Sequence, residues 1–149
     1  MKKYMLSEEM KKVVSGDKKI TLHRIIATRK FANVNIGDKG GWVESERNLS
    51  HDGLSWIYDD SAVFSDAVVR ENAVVQLNST VRGQANIAGN TIVSLGSTIS
   101  GSVMISGDSY LTDYAVVTGN LVIEDRVITG SKEIGGVGNI KGVVMRLAI

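Results

Sequence analysis

The sequence contains no cysteine and no proline, and aromatic residues make up only 5% of its 149 positions. Without cysteine there can be no disulfide and no thiolate chemistry, a usage that fits a reducing compartment, so the cytoplasm is the expected location. No apolar run approaches the ~18 residues of a membrane span, and the Lys-bearing N-terminus lacks the apolar stretch and small-residue cleavage site of a signal peptide. Neither a membrane-spanning nor an exported chain is expected. Net charge is also low, at +1.

That small net charge hides a division. Residues 1–30 carry nine Lys or Arg against three acids, while the remainder carries eight against thirteen. Lys11, Lys12, Lys18, Lys19, Arg24, Arg29 and Lys30 form a candidate basic patch for an acidic partner or for phosphates. No stacking aromatics are interleaved among them, so the plainer expectation is a solvated face, with nucleic acid an unlikely partner.

What the chain has in quantity is Gly, with 16 residues, alongside Val, Ile, Ser, Thr and Asn, a mixture that favours strands and tight turns. The apolar share of 43% is enough for one core. An aliphatic residue recurs every six positions, at Ile57, Val63, Val69, Val75, Val81, Ile87, Val93, Ile99, Ile105, Leu111, Val117 and Ile123. Four places after each stands a small or branched residue, beginning Ser61, Ala67, Ala73, Ser79 and Ala85. Inside each hexad the small residue and the aliphatic two places later point inward, by the period of an extended chain. The remaining positions, such as Gly83-Gln84, Gly89-Asn90 and Gly107-Asp108, suit the positive φ of a corner. Three hexads then close one triangular coil, and twelve give four regular coils stacked at ~4.8 Å, about 19 Å in all. Columns such as Ile57, Val75, Val93 and Leu111 form the core.

With that pattern, residues 57–128 resemble the hexapeptide-repeat proteins that fold as left-handed parallel β-helices, and the handedness is implied by the resemblance alone. The segment Gly40-Gly41-Trp42-Val43-Glu44-Ser45, with Asn48-Leu49-Ser50 and Trp56, is similar to uncharacterised bacterial and phage-encoded members of that group. The expected fold is therefore all-β: an N-terminal β-rich cap over 1–55, a solenoid over 56–128, and a C-terminal capping or oligomerisation strand over 129–149. Within the cap, Ser15-Gly16-Asp17 reads as a hairpin turn, and strands are preferred to a short helix opening at Ser7. Leu49 to Ile57 spans eight residues where six would keep the beat, which puts the start of the solenoid after it. One residue is lost between Ile123 and Ile128, and Val143, Met145, Leu147 and Ile149 read as a last strand.

The enzymes this resemblance brings to mind are acyltransferases, which implies a histidine base in a subunit cleft and often a loop between coils. The only histidines, His23 and His51, precede the hexads, and no insertion interrupts residues 57–128. Two histidines cannot supply the three that zinc-dependent carbonic anhydrases of this fold use. Asp59, Asp60, Asp66, Glu71, Asp108, Asp113 and Asp125 fall at corners, where turn geometry accounts for acidic residues. Gly37-Asp38-Lys39-Gly40-Gly41 lacks the spacing of a phosphate loop and reads as a turn. A Thr ladder for ice binding is broken by Phe64 and Arg82. No catalytic residue, cofactor or metal is expected, and the chain is not expected to be an enzyme.

The candidate interface is a stripe of outward apolar residues, Trp56, Val74, Ile92 and Tyr110, with Val68, Met104 and Val122 on the neighbouring face. Either the N-terminal segment covers it, or prisms pack side by side as a homo-oligomer, dimer or trimer. The expected function is that of a bacterial or phage-encoded scaffold presenting flat faces to a protein partner, with a host defence protein as one candidate. Two alternatives stand beside it: a degenerate hexapeptide-type acyltransferase, and nucleotide or nucleic-acid binding through the basic segment.

Overall fold

A computed structural model describes residues 2–130, 133–141 and 145–146. The chain opens with an antiparallel hairpin, β1 (Tyr4–Ser15) and β2 (Lys18–Ala27), closed by a two-residue turn in which Gly16 takes a φ of 61°. That turn and the strands on either side match the reading of Ser15-Gly16-Asp17. β2 pairs antiparallel with β3 (Lys39–Val43), and β3 pairs parallel with Ala62–Val63. Beyond β3, the strand pairing among the described residues is parallel throughout.

Three sheets form the walls. The first runs from β1, β2 and β3 through Ala62–Val63, Thr80–Val81, Thr98–Ile99 and Val116–Val117 to Glu133–Ile134. Another stacks Trp56–Ile57, Val74–Val75, Ile92–Val93, Tyr110–Thr112, Val127–Thr129 and Met145–Arg146. The third stacks Val68–Val69, Asn86–Ile87, Met104–Ser106, Asn120–Glu124 and Val137–Lys141. Successive rungs are knitted by bonds such as Thr80 N–H to the Ser97 carbonyl at 2.9 Å and Thr98 N–H to Ala115 at 2.8 Å. The inward aliphatics of the regular hexads, from Ile57 to Ile123, are fully buried, which makes the solenoid a stack of single-residue columns. Among the described residues there is no α-helix, only a short 3-10 turn at Glu46–Asn48, and no helix long and apolar enough to cross a membrane.

The coils number about five rather than four, because stacking passes both expected edges. Val43 sits beside Val63, and Leu49 bridges Val69, so the eight-residue step to Ile57 is a bulged side of the first coil. At the far end Ile128, Ile134 and Ile140 pair with Leu111, Val117 and Ile123. The lost residue shortens that coil from 18 residues to 17 without breaking a column, since the deletion falls at the corner around Asp125 (φ 55°). Of the expected last strand, Met145–Arg146 pairs parallel with Ile128–Thr129, whereas Val143, Leu147 and Ile149 lie outside the described residues.

The corners explain the residue types between strands. On one edge Gly83, Gly101, Gly119 and Gly136 all have positive φ, and a Cβ on Gly83 would stand 2.8 Å from the Gly101 amide nitrogen. From Gly83 to Gly119 the stacked corners leave no room for a side chain, while at Gly136 the space is open. On another edge the same left-handed region is taken by Leu77 (φ 55°), Leu95 (φ 50°) and Asp113 (φ 57°), side chains that pay roughly 1–2 kcal/mol each for the conformation.

The open mouth of the first coil is filled by Tyr4, Ile25, Ala27, Phe31 and Val34, which join Val43, Leu49 and Ile57 in one continuous core. Asn48 is fully buried there with all four of its hydrogen-bonding positions used. Its Oδ1 accepts from the amides of Glu44 and Ser45, and its Nδ2 donates to the carbonyls of Ser65 and Ala67. The Gly40-Gly41 pair reads the same way: a Cβ on Gly40 would stand 2.7 Å from Trp56 Cζ2, and one on Gly41 would stand 2.5 Å from Ile57 Cγ2. These glycines permit close packing of β3 on the first coil.

Candidate functional site

The expected apolar stripe is present in part. Ile92 and Tyr110 are each 36% exposed, with Met104 and Val122 a little more open on the adjacent face, and Val74 and Val68 half-buried. Trp56 is different, at 1% exposed. Phe31 meets it edge-on at 5.1 Å and Tyr4 at 6.3 Å, so the N-terminal segment covers the first rung of that wall and leaves the later rungs open. Trp56 is thus a core residue and not part of an exposed interface. A signal that sequence reading missed lies at the neighbouring corner, where Leu77, Leu95 and Tyr114 extend the exposed apolar surface.

The basic patch is divided by its partners. Arg24 is bound to Asp60 (Nη2 to Oδ1, 2.8 Å) and Glu9 (3.4 Å), and its guanidinium lies 4.4 Å over the Trp42 ring. Its hydrogen bond is the main cause holding the Asp60 carboxyl below its usual range. Arg29 donates to the His51 carbonyl at 3.1 Å. Lys12, Lys18, Lys19 and Lys30 remain exposed, and Lys11 is held 4.5 Å over Trp42. The cations therefore do not converge on one surface: two of them brace the cap.

Neither histidine lies in a regular hexad: His23 is in β2, and His51 is in the bulged side of the first coil. His51 has both ring nitrogens engaged, Nδ1 accepting from the Lys3 amide at 3.1 Å and Nε2 facing Glu46 Oε1 at 2.8 Å, and its ring stacks on Tyr4 at 4.2 Å. This is a joint of the cap. Corner acids are likewise used in joining coils: Glu71 accepts from the Gly89 amide at 2.8 Å, Asp59 from Leu77 at 3.2 Å, and Asn72, Asn90 and Asp108 form a side-chain ladder. Among the described residues no cluster of His, Asp and Glu stands close enough to hold a metal ion.

The most unusual buried group is Lys3, with no exposed surface. Its Nζ donates to the Ser55 carbonyl at 2.6 Å and to Ser55 Oγ at 3.0 Å, and it lies 5.1 Å over the Phe31 ring. Burial, reinforced by repulsion from Arg29 and opposed by Asp52, lowers its pKa to about 8. Because the folded value lies below the unfolded one, the unfolded chain binds the extra proton between about pH 8 and 10.5, and Lys3 makes stability rise with pH across that window. Relative to Lys3→Met, the wild type should gain about 3 kcal/mol between pH 7.5 and 10.5 by denaturant melts at each pH. Parallel pH profiles would contradict this.

One concavity stands out. Val13, Ile20 and Leu22 of the hairpin pack on Trp42, Ala62 and Phe64, an apolar contact outside the solenoid core. Beyond it the hairpin tip overhangs Thr80 and Arg82, leaving a groove of about 420 Å³.

No protein-family model matches the chain. It is similar to the uncharacterized acetyltransferase YdcK of Escherichia coli (strain K12), with 42% identity over 74 residues, covering 46% of this chain and 23% of that protein. The match thus spans less than a quarter of the relative's length. This finding overturns the expectation that the chain is not an enzyme, an expectation that rested on the want of a histidine in the coils. A similar chain can carry an acetyltransferase name whatever the histidines of the present one do.

Proposed function

We propose that the chain belongs with the acyltransferase-type hexapeptide solenoids and takes part in acyl transfer from a coenzyme A thioester to a small acceptor. The observation that carries this reading is the 42% identity to a protein named as an acetyltransferase, on a chain whose coils are parallel and regular. The transfer breaks the thioester C–S bond, forms a new bond between the acyl carbon and the acceptor, and moves the acceptor's proton to a base. With His51 engaged at both nitrogens and His23 in β2, that base comes from a corner carboxylate or from a second copy across a subunit cleft. The exposed Ile92, Tyr110, Met104 and Val122 support such side-by-side packing, since exposed apolar patches mark contact surfaces.

Calorimetric titration with acetyl-CoA tests the reading, followed by release of free CoA thiol in the presence of a panel of amine and hydroxyl acceptors. Saturable heat and acceptor-dependent thiol release are expected. Absence of both would remove the reading, and then the flat faces alone, presented to a protein partner, would be the function that the geometry favours. A phage origin and a host defence target rest only on the short resemblance around Gly40 to Ser50.

A further inference from the structure

The groove under the hairpin tip lies on the outer side of a wall, apart from the stripe and independent of the acyl-transfer reading. Its floor is apolar: Phe64 and Ala62 from the first coil face Val13 and Leu22 of the hairpin. Its far wall carries Thr80 and Arg82 from the next coil, which stand beside Ala62 and Phe64 in the parallel register. The one acid on the lining, Asp60, is already occupied by Arg24, and Lys11 at the near wall is held over Trp42. Arg82 is half-buried and makes no ion pair or side-chain hydrogen bond among the described residues. Its guanidinium nitrogens are not enclosed, so the fork stands open to an incoming acceptor, and no partner within the coils occupies it.

We infer that this groove binds an organic carboxylate with a compact apolar body. The Arg82 fork takes both carboxylate oxygens, Thr80 adds a hydroxyl beside it, and the body lies on Phe64 between Val13 and Ala62. The volume falls within the range of small-molecule sites, ~300–1,000 Å³. A bare anion would satisfy Arg82 but leave the groove beside Phe64 and Val13 unfilled, and a neutral apolar molecule would do the reverse.

The test uses the full chain with naphthalene-2-carboxylate, naphthalene-2-carboxamide and inorganic phosphate, each titrated by calorimetry at fixed ionic strength, with amide shifts followed at Val13, Phe64 and Thr80. The carboxylate is expected to bind at least tenfold more tightly than the carboxamide or phosphate, with shifts at those residues. Arg82→Gln, whose side chain has no structural partner, should erase the preference for carboxylate over carboxamide while leaving the melting temperature unchanged, and Arg82→Lys should restore part of it. Equal binding of carboxylate and carboxamide, phosphate binding as tight as the carboxylate, an unaltered preference in Arg82→Gln, or no binding by any probe would each overturn the inference.

Discussion

Val81→Asp should abolish cooperative melting at neutral pH. Val81 is fully buried, stacked in its column between Val63 and Ile99, and no cation stands in the buried core to pair with a carboxylate there among the described residues. Val81→Ala would remove about two methyl-sized groups, on the order of 2 kcal/mol with the cavity included. An unpaired buried charge costs several kcal/mol more, enough to exhaust a total stability of roughly 5–15 kcal/mol. The carboxyl escapes part of that cost by staying protonated, so its pKa in the fold is raised above the unfolded value. Stability of the variant should then be greatest near pH 4 and fall as pH rises, a dependence Val81→Ala should lack. Circular dichroism melts at pH 4 and 7 decide the matter, and an unchanged midpoint at pH 7 would contradict a column of inward aliphatics.

Trp56→Ala should cost about 3–5 kcal/mol, with its damage confined to one end of the molecule. The indole is the largest fully buried side chain, held between Phe31 and Tyr4 and packed against the Gly40 backbone. Its loss removes the shared partner of the cap residues without touching the later columns. Hydrogen exchange should therefore accelerate over Tyr4 to Val34, while amides bonded between later coils, such as Ser94 N–H to Leu111 and Thr98 N–H to Ala115, keep their protection. A uniform loss of protection would mean that cap and coils unfold as one unit.

The coils were legible because each rung solves the same problem with the same residue types. One inward aliphatic, one small residue and one corner recur often enough to be read against any background. The 17-residue coil is not readable from the sequence, which shows that a residue is missing and not that a corner absorbs it. Trp56 was misplaced for a different reason. By its position in the hexad it points outward, and only the return of Tyr4 and Phe31, from 52 and 25 residues away in sequence, encloses it. The groove was illegible on the same grounds: Phe64 and Arg82 registered only as breaks in a Thr ladder until the hairpin was laid over them. Contacts within the repeat follow from spacing, whereas contacts between the cap and the repeat depend on how far a hairpin curls.

The irregularity in β1 has its own consequence. This strand is the outer margin of the first sheet, and between Leu6 and Met10 its pairing with β2 shifts, just before Lys11 and Lys12. A stack of parallel rungs is in effect a short piece of cross-β fibre contained in one molecule, and a straight, neutral margin would invite another molecule to continue it. Bent and charged there, that margin of the first sheet offers a poor template for another molecule to extend.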